Sequence, residues 1–290
     1  MLHLANDTLR LDILDPTTEA DRLGPRFTGG GFIWQIHDAQ AGPLLSGPEG
    51  PEPHPEPFNG HGLPESFRDR TRAGVKLLWS DDEGLAPGVG LLRRSGGQVT
   101  LAQPCVWHIL SEMGGLEFRT AHAAAGYACA VTRRIELAGR TVRSVSRITN
   151  TGNQPMNFQW FAHPFFALDS NSHLQLTVPS AAKLPADSGF TRRGNIIEPA
   201  RRYLGKDDGA FTLLELPPAQ PLDVQLTHPH LPRGIRVSTT FVPSECPIWI
   251  NGFTFSIEPY QTLKLAPGTT QAWTLTYEFG ADRSDGSPIA

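Results

Sequence analysis

A chain of 290 residues is long enough to bury a sizeable core, and 39% apolar with 19% charged residues is typical of a folded globular protein. The formal charge of −4 provides no positive field for a polyanion, and no lysine- and arginine-rich block marks a nucleic-acid-binding arm. The opening MLHLANDTLRLDIL lacks a basic segment followed by an apolar one, and no apolar run reaches membrane-spanning length. We therefore expect a cytoplasmic protein that binds neither nucleic acid nor a membrane.

Period-two alternation of apolar and polar residues, bounded by Gly, Pro, Asn or Asp, is the commonest local pattern and is typical of half-buried antiparallel strands. It predicts more than ten strands and almost no helix. In chain order the main segments are TLRLDIL, GGFIWQIHD, VKLLWSD, CAVTRRIEL, RTVRSVSRIT, MNFQWFAH, HLQLTV, FTLLEL, GIRVSTTF, TFSIEPY and QAWTLTYEFG. The last of these places Trp273, Tyr277 and Phe279 on one face, which we expect to be buried.

Three consecutive segments in the middle of the chain predict a local arrangement of strands. Ala138 and Gly139 join CAVTRRIEL to RTVRSVSRIT, which indicates a hairpin. NTGNQ, from Asn150 to Gln154, then predicts a second turn, followed by a strand that ends near His163. We expect these three strands to form a meander. The chain contains no exact internal repeat, so a β-propeller is not expected.

The three cysteines, Cys105, Cys129 and Cys246, are widely spaced and odd in number. They therefore provide neither a CxxC metal clip nor a complete disulfide framework, which is typical of a reducing compartment. Cys129 lies in an alternating segment, so we expect a small core residue there rather than a nucleophile.

A proline-rich segment at about 41–60 differs from this background, because six prolines occur between Pro43 and Pro57. Proline cannot donate to a central strand ladder, so the segment predicts a long extended loop. The strands on both sides share one pattern. We therefore expect a loop that crosses the face of a single domain, residues 1–290, rather than a linker between two domains.

Three polar residues lie where strands end or loops begin, which is where functional side chains occur on a β scaffold. His163 and Glu258 each stand directly before a proline at the end of an apolar strand, and His61 lies between glycines at the exit of the proline-rich loop. Each has a structural alternative: a hydrogen-bonded core histidine, a solvated rim carboxylate and a surface loop, respectively. The residues alone do not decide between these interpretations.

The stretch NTGNQPMNFQWFAHPFFAL contains an Asn-bearing turn, a strand that ends in His163, then an aromatic residue and Leu168. In this it resembles the aldose 1-epimerase (galactose mutarotase-like) superfamily. FSIEPYQT resembles the family's C-terminal strand that ends in glutamate, His61-Gly62 its His-Gly pair, and RFTGGGFIWQIHDAQAGPLL its opening hairpin. GHGLPESF is similar to bacterial branches of the superfamily rather than to its galactose enzymes.

The resemblance implies an all-β fold, a β-supersandwich of mostly antiparallel strands with a sugar in an open cleft. It also implies an isomerase that interconverts the α and β anomers of an aldose, with Glu258 as general base and His163 as general acid. His61 would hydrogen-bond the substrate. The only expected partner is a small-molecule sugar, without a metal or other cofactor, and the protein is expected to be a monomer or a homodimer.

Two more sugar contacts are carried over from the family less directly. Its arginine after the His-Gly pair has no direct match, because Pro64 and Glu65 stand there. Arginines that could replace it are Arg68, Arg70 and Arg72, and Arg72 is taken as the substrate-binding candidate. A carboxylate between the family's His and Glu is matched to Asp207, with the adjacent Asp208 as an alternative.

Three alternative functions remain open at this point. The pairs Arg192-Arg193 and Arg201-Arg202 could clamp an anion, as a hexose-phosphate epimerase would require. A protein of the same fold could instead bind carbohydrate without turnover. A metal-dependent enzyme would have to use His54, His61 and His108, whose spacing is not that of a metal site.

Overall fold

The computed structural model describes residues 1–22, 24–50, 60–67, 77–169 and 173–280, and within these ranges the chain is almost entirely β-strand. The first thirteen strands are β1 (Leu2–Ala5), β2 (Leu9–Ile13), β3 (Ile33–Asp38), β4 (Gly42–Pro43), β5 (Glu65–Phe67), β6 (Leu78–Ser80), β7 (Glu83–Ala86), β8 (Gly90–Ser95), β9 (Gln98–Pro104), β10 (His108–Glu112), β11 (Gly115–Ala124), β12 (Tyr127–Ala138) and β13 (Thr141–Asn150). The remaining strands are β14 (Met156–Ala162), β15 (Phe166–Ala167), β16 (Leu176–Thr177), β17 (Phe190–Arg193), β18 (Ile196–Pro199), β19 (Ala210–Leu213), β20 (Asp223–His228), β21 (Leu231–Thr239), β22 (Pro247–Ile250), β23 (Thr254–Ile257), β24 (Tyr260–Leu265) and β25 (Thr270–Phe279). One short 3-10 turn spans Ala20–Arg22.

One large sheet and four smaller ones form the structure. The large sheet has ten strands in the order β10-β11-β12-β13-β25-β21-β20-β16-β18-β17. The smaller sheets have the orders β1-β2-β3-β4, β24-β14-β5, β15-β23-β22-β19 and β6-β7-β8-β9. All strand pairs described are antiparallel, as the alternating pattern predicted. No helix in the described ranges is long and apolar enough to cross a membrane.

The core lies between the inner face of the large sheet and the smaller sheets. Trp273 and Tyr277 on β25 contact Trp160 on β14 and Phe166 on β15, with ring centroids 4.9 and 6.2 Å apart. Burial alternates along β25, so the predicted buried face is confirmed. Cys129 on β12 is also fully buried, as predicted, and burial raises the pKa of its thiol.

The predicted meander is wrong in its third strand. Strands β12 and β13 form the expected hairpin, but β13 next pairs with β25, whereas β14 pairs with β24 and β5 in another sheet. The crossing between sheets is fixed by the buried Asn150, whose Nδ2 donates to the carbonyls of Gln154 at 2.8 Å and Leu265 at 3.0 Å. The turn is therefore a link between two layers, a role that local alternation does not specify.

The described part of the proline-rich segment runs across the end of the smaller sheets. Ser46 N–H donates to the Phe165 carbonyl at 3.0 Å, and the Pro48 carbonyl accepts from Asn251 Nδ2 at 2.8 Å. Residues 51–59 lie outside the described residues.

Candidate active site

His163 lies immediately after the end of β14. Its N–H donates to the Pro64 carbonyl at 2.9 Å, and Phe165 N–H donates to the Gly62 carbonyl at 2.8 Å, so the strand end is held against the 62–64 segment. Pro164 between them has no N–H to continue a ladder. The imidazole stacks on Phe165, with ring centroids 4.4 Å apart.

Glu258 occupies the equivalent place after β23, with Pro259 between it and β24. Its N–H donates to the Pro247 carbonyl at 2.8 Å. Phe161 and Tyr260 are cross-strand partners on β14 and β24, and their rings stack in parallel with centroids 4.4 Å apart. This aromatic pair holds the two strand ends together and brings His163 next to Glu258.

The two side chains meet at their polar atoms. His163 Nε2 lies 3.4 Å from Glu258 Oε1, and both residues are buried. The Ser256 hydroxyl lies 3.1 Å from His163 Nδ1, and the Tyr260 hydroxyl donates to Glu258 Oε2 at 3.4 Å. Each functional group is therefore oriented from behind by a hydroxyl. The 3.4 Å separation exceeds that of a tight charge-assisted hydrogen bond, roughly 2.7–2.9 Å.

A cavity of about 220 Å³ opens in front of this pair. It is smaller than the roughly 300–1,000 Å³ of pockets for drug-sized ligands, so it suits a small molecule. It is lined by Arg26, Pro48, His163, Phe165, Phe211, Trp249 and Glu258. Phe211, Trp249 and Ser256 are cross-strand partners on β19, β22 and β23, so their side chains share one face of that sheet.

The sequence matches no protein-family model, and it matches no curated protein significantly. The fold, however, matches solved structures along nearly the whole chain. The Slr1438 protein of Synechocystis sp. PCC 6803 is 18% identical, with a TM-score of 0.61 over 96% of this chain and 94% of that one. A galactose mutarotase related enzyme from Lactobacillus acidophilus is 13% identical, with a TM-score of 0.61 over 97% of each chain. A galactose mutarotase-like protein from Lactobacillus casei ATCC 334 is 13% identical, with a TM-score of 0.60 over 96% of this chain and 99% of that one.

The chain has the galactose mutarotase-like fold. This confirms the predicted all-β, mostly antiparallel β-sandwich and, at the level of fold, the resemblance seen in the sequence. Identities this low establish the mutarotase-like fold alone.

Arg26 is a cavity residue that the sequence did not reveal. It lies in the loop before Phe27, and its guanidinium carbon is 5.0 Å from the centroid of that ring. GPRF carries no periodicity or catalytic motif, so only the mutarotase-like packing brings this arginine to the cavity. Phe211 gave no signal in the sequence either.

His61 is buried, with 2% of its surface exposed, and it does not line the cavity. Its ring stacks on Trp34 with centroids 4.5 Å apart. Burial lowers its pKa to about 4, with a smaller contribution from the positive charge of Arg22. No hydrogen bond to its Nδ1 is found among the described residues. Its expected contact with substrate therefore stays a prediction.

His61 is expected to make the protein less stable in acid. Its folded pKa of about 4 lies below the ordinary 6.5, so between these values the unfolded chain binds a proton that the folded chain does not. Lowering the pH from 7 to about 5 should therefore cost roughly 2 kcal/mol of unfolding free energy at this residue. In His61→Phe, the unfolding free energy measured with urea should fall by roughly 2 kcal/mol less than in the wild type between pH 7 and about 5. The exposed His173→Gln is the control, and an unchanged pH dependence in His61→Phe would contradict the assignment.

The other candidate sugar contacts lie apart from the cavity or outside the described residues. Asp207 is exposed in the loop before β19, and Asp208 accepts from Arg201 Nη1 at 2.9 Å, which lowers the pKa of that carboxyl to about 2. Neither aspartate lines the cavity. Arg68, Arg70 and Arg72 lie outside the described residues.

The residues behind the alternative functions do not meet at the cavity either. Arg192 donates to the carbonyls of Gly194 at 2.7 Å, Ser180 at 2.6 Å and Ala182, and Arg201 pairs with Asp208. Within the described ranges, no group of three or more His, Cys, Asp or Glu side chains is placed to hold a metal ion. His54 lies outside those ranges.

A larger cavity of about 860 Å³ lies elsewhere in the mutarotase-like fold, with Arg202, Tyr203 and Asn251 among its lining residues. Neither His163 nor Glu258 lines it. The larger cavity therefore lacks this paired acid and base. We place the candidate active site at the smaller cavity, because His163 and Glu258 meet there.

A buried ion pair supports the strand next to His163. Glu65 on β5, the cross-strand partner of Ala162, forms an ion pair with Arg133 on β12. Glu65 accepts from Ser144 Oγ at 2.5 Å and from Trp160 Nε1 at 3.1 Å, and Arg133 Nη1 donates to the Gly30 carbonyl at 2.7 Å. Burial lowers the pKa of Arg133, and the charge of Glu65 opposes this effect. Glu65, which stands where the resemblance in the sequence would place an arginine, thus joins the large sheet to the strands of the site.

Proposed function

We propose that this protein interconverts the α and β anomers of an aldose by general acid/base catalysis. The observation that carries the proposal is the meeting of His163 Nε2 and Glu258 Oε1 at 3.4 Å, at the wall of one small cavity. The mutarotase-like fold supports the proposal by analogy. The reaction needs a base and an acid within reach of two neighbouring oxygen atoms, and this pair supplies both.

In the proposed mechanism, Glu258 removes the proton from the C1 hydroxyl while protonated His163 donates a proton to the ring oxygen. The bond between C1 and the ring oxygen breaks, and C1 becomes an aldehyde. After rotation about the C1–C2 bond, the new hydroxyl attacks the other face of the aldehyde. His163 then recovers its proton and Glu258 returns one to O1, so both groups end in their starting states.

Ser256 suits this cycle because a hydroxyl can donate to an imidazole nitrogen or accept from it. Its contact with His163 Nδ1, at 3.1 Å, can therefore persist in both protonation states of the ring. The Tyr260 hydroxyl donates to Oε2 of Glu258, and we assign proton removal to Oε1, the oxygen beside His163 Nε2.

The cavity walls fit the two kinds of surface of a sugar ring. Phe165, Phe211 and Trp249 provide aromatic faces for the C–H groups, and Arg26 provides donors for hydroxyl oxygens. We assign the principal arginine contact to Arg26. His61, Asp207 and Arg72 are kept as further candidate contacts.

The test is anomer exchange measured by NMR on a panel of free and phosphorylated aldoses. At least one sugar should equilibrate faster with the wild-type protein than with buffer or with Glu258→Gln. Exchange confined to phosphorylated sugars would favour a hexose-phosphate epimerase. If sugars bind but none exchanges anomers faster than in buffer, the protein binds carbohydrate without turnover. That result would overturn the proposed reaction.

A further inference from the structure

The edge of the ten-stranded sheet formed by β10 has an unusual surface. Three large apolar side chains in and around this strand are exposed: Val106 at 73%, Leu110 at 41% and Met113 at 99%. Within the described residues, β10 pairs with β11 on one side, and no backbone hydrogen bond reaches it from the other. Its outward amides and carbonyls therefore form an open template for another strand.

The opposite edge of the same sheet, formed by β17, is protected against pairing with another strand. Strand β17 ends in Arg192-Arg193, and the Arg192 side chain folds back onto the carbonyls of Ser180 and Gly194. Charged side chains of this kind normally prevent one sheet edge from pairing with another. Strand β10, HILSE, has neither lysine, arginine nor proline. Arginine side chains thus protect the β17 edge of the sheet, whereas the β10 edge has no such protection.

We propose that β10 is the dimerisation strand of this protein and that its partner is the β10 of a second copy of the chain. The two strands pair antiparallel about a two-fold axis through Leu110, so that His108 of each chain lies opposite Glu112 of the other. The result is one continuous sheet across both chains. Such an interface is self-complementary, as a two-fold dimer requires.

The sequence of β10 fits this register in three ways. His108, Leu110 and Glu112 all lie on the outer face of the sheet, where Leu110 would contact Leu110 of the second copy. The His108 ring can donate to the facing Glu112 carboxylate, whose Oε2 also contacts Arg134 of its own chain. Val106 and Met113 extend the apolar contact beyond both ends of the paired strands. A second copy is favoured over another protein because the strand complements itself.

Mass measurement by light scattering or sedimentation across a concentration series tests the proposal. The wild type should reach twice the 31.6 kDa of one chain. Leu110→Lys places two ammonium groups opposite each other at the axis and should weaken dimerisation at least ~tenfold. The matched control is Val242→Lys, since Val242 is 45% exposed in a loop away from β10. It should dimerise like the wild type.

A second variant reports the register directly. Leu110→Cys should form a disulfide-linked dimer when the oxidant diamide takes up the two thiol hydrogens, because residues facing each other on the axis have Cβ atoms about 4.5–5.5 Å apart. Val242→Cys should not, and the three native cysteines are buried. A wild type that stays monomeric throughout the series would overturn the proposal. The proposal would also be overturned if the wild type dimerises, Leu110→Lys dimerises equally well and Leu110→Cys forms no disulfide-linked dimer.

Discussion

Glu258→Gln is expected to slow catalysed anomer exchange by a factor of about 100 or more, and His163→Gln to do the same. Glutamine keeps the shape of the glutamate side chain but cannot accept the C1 proton at neutral pH. In place of His163 it cannot deliver a proton to the ring oxygen. Because the two groups act in one concerted step, the double variant should be little slower than the slower single variant.

The measurement is NMR exchange on whichever sugar responds to the wild type, at equal protein concentrations. Glu215→Gln and His173→Gln make the same changes at exposed positions and should retain full activity. Circular dichroism and thermal unfolding should show that all four variants are folded. Either site variant retaining more than half of wild-type activity would remove that residue from the mechanism.

Arg133→Met is expected to lower the free energy of unfolding by about 3–5 kcal/mol. The change leaves the Glu65 carboxylate buried without its countercharge, next to Ser144, Ser146 and Trp160, which can only partly compensate. Glu65 pairs with the strand that leads to His163, so catalysed exchange should also fall. Urea unfolding followed by tryptophan fluorescence gives the stability, since Trp160 lies within this network.

The matched control is Arg93→Met, which breaks the exposed pair between Arg93 and Glu83, 2.8 Å apart. It should cost less than ~1 kcal/mol, because solvent screens both charges. Adding Glu65→Gln to Arg133→Met removes the orphaned charge and should recover part of the loss. If Arg133→Met and Arg93→Met cost the same, the buried pair has no special role in stability.

Local alternation predicted many strands of this fold, because each half-buried strand must place apolar side chains on one side, but it did not predict the four consecutive strands β8 to β11. The segments β12, β13 and β25 follow directly from it. Their pairing does not: β13 pairs with β25, more than a hundred residues later, and β14 leaves for another sheet. Side-chain alternation shows which face of a strand is buried, but it does not show which strand lies beside it.

The candidate site was predictable in part. A polar residue directly before a proline, at the end of an apolar strand, marked His163 and Glu258 as candidates, since such a residue has left the ladder but remains at the core, and the family resemblance then paired them as acid and base. Arg26 gave no comparable signal, because its position depends on a loop packed against distant strands. Glu65 followed from no pattern, since its partner Arg133 interrupts the apolar face of β12 without any local reason.

The position of β25 in the middle of the large sheet has a consequence for synthesis of the chain. Its neighbours β13 and β21 precede it along the polypeptide, so both leave the ribosome with one edge unpaired until residues 270–279 follow. The gap between β13 and β21 is closed by late insertion of a strand, a slow long-range step. During that interval the nascent protein exposes two strand edges and the apolar face between them, and surfaces of this kind are prone to aggregation.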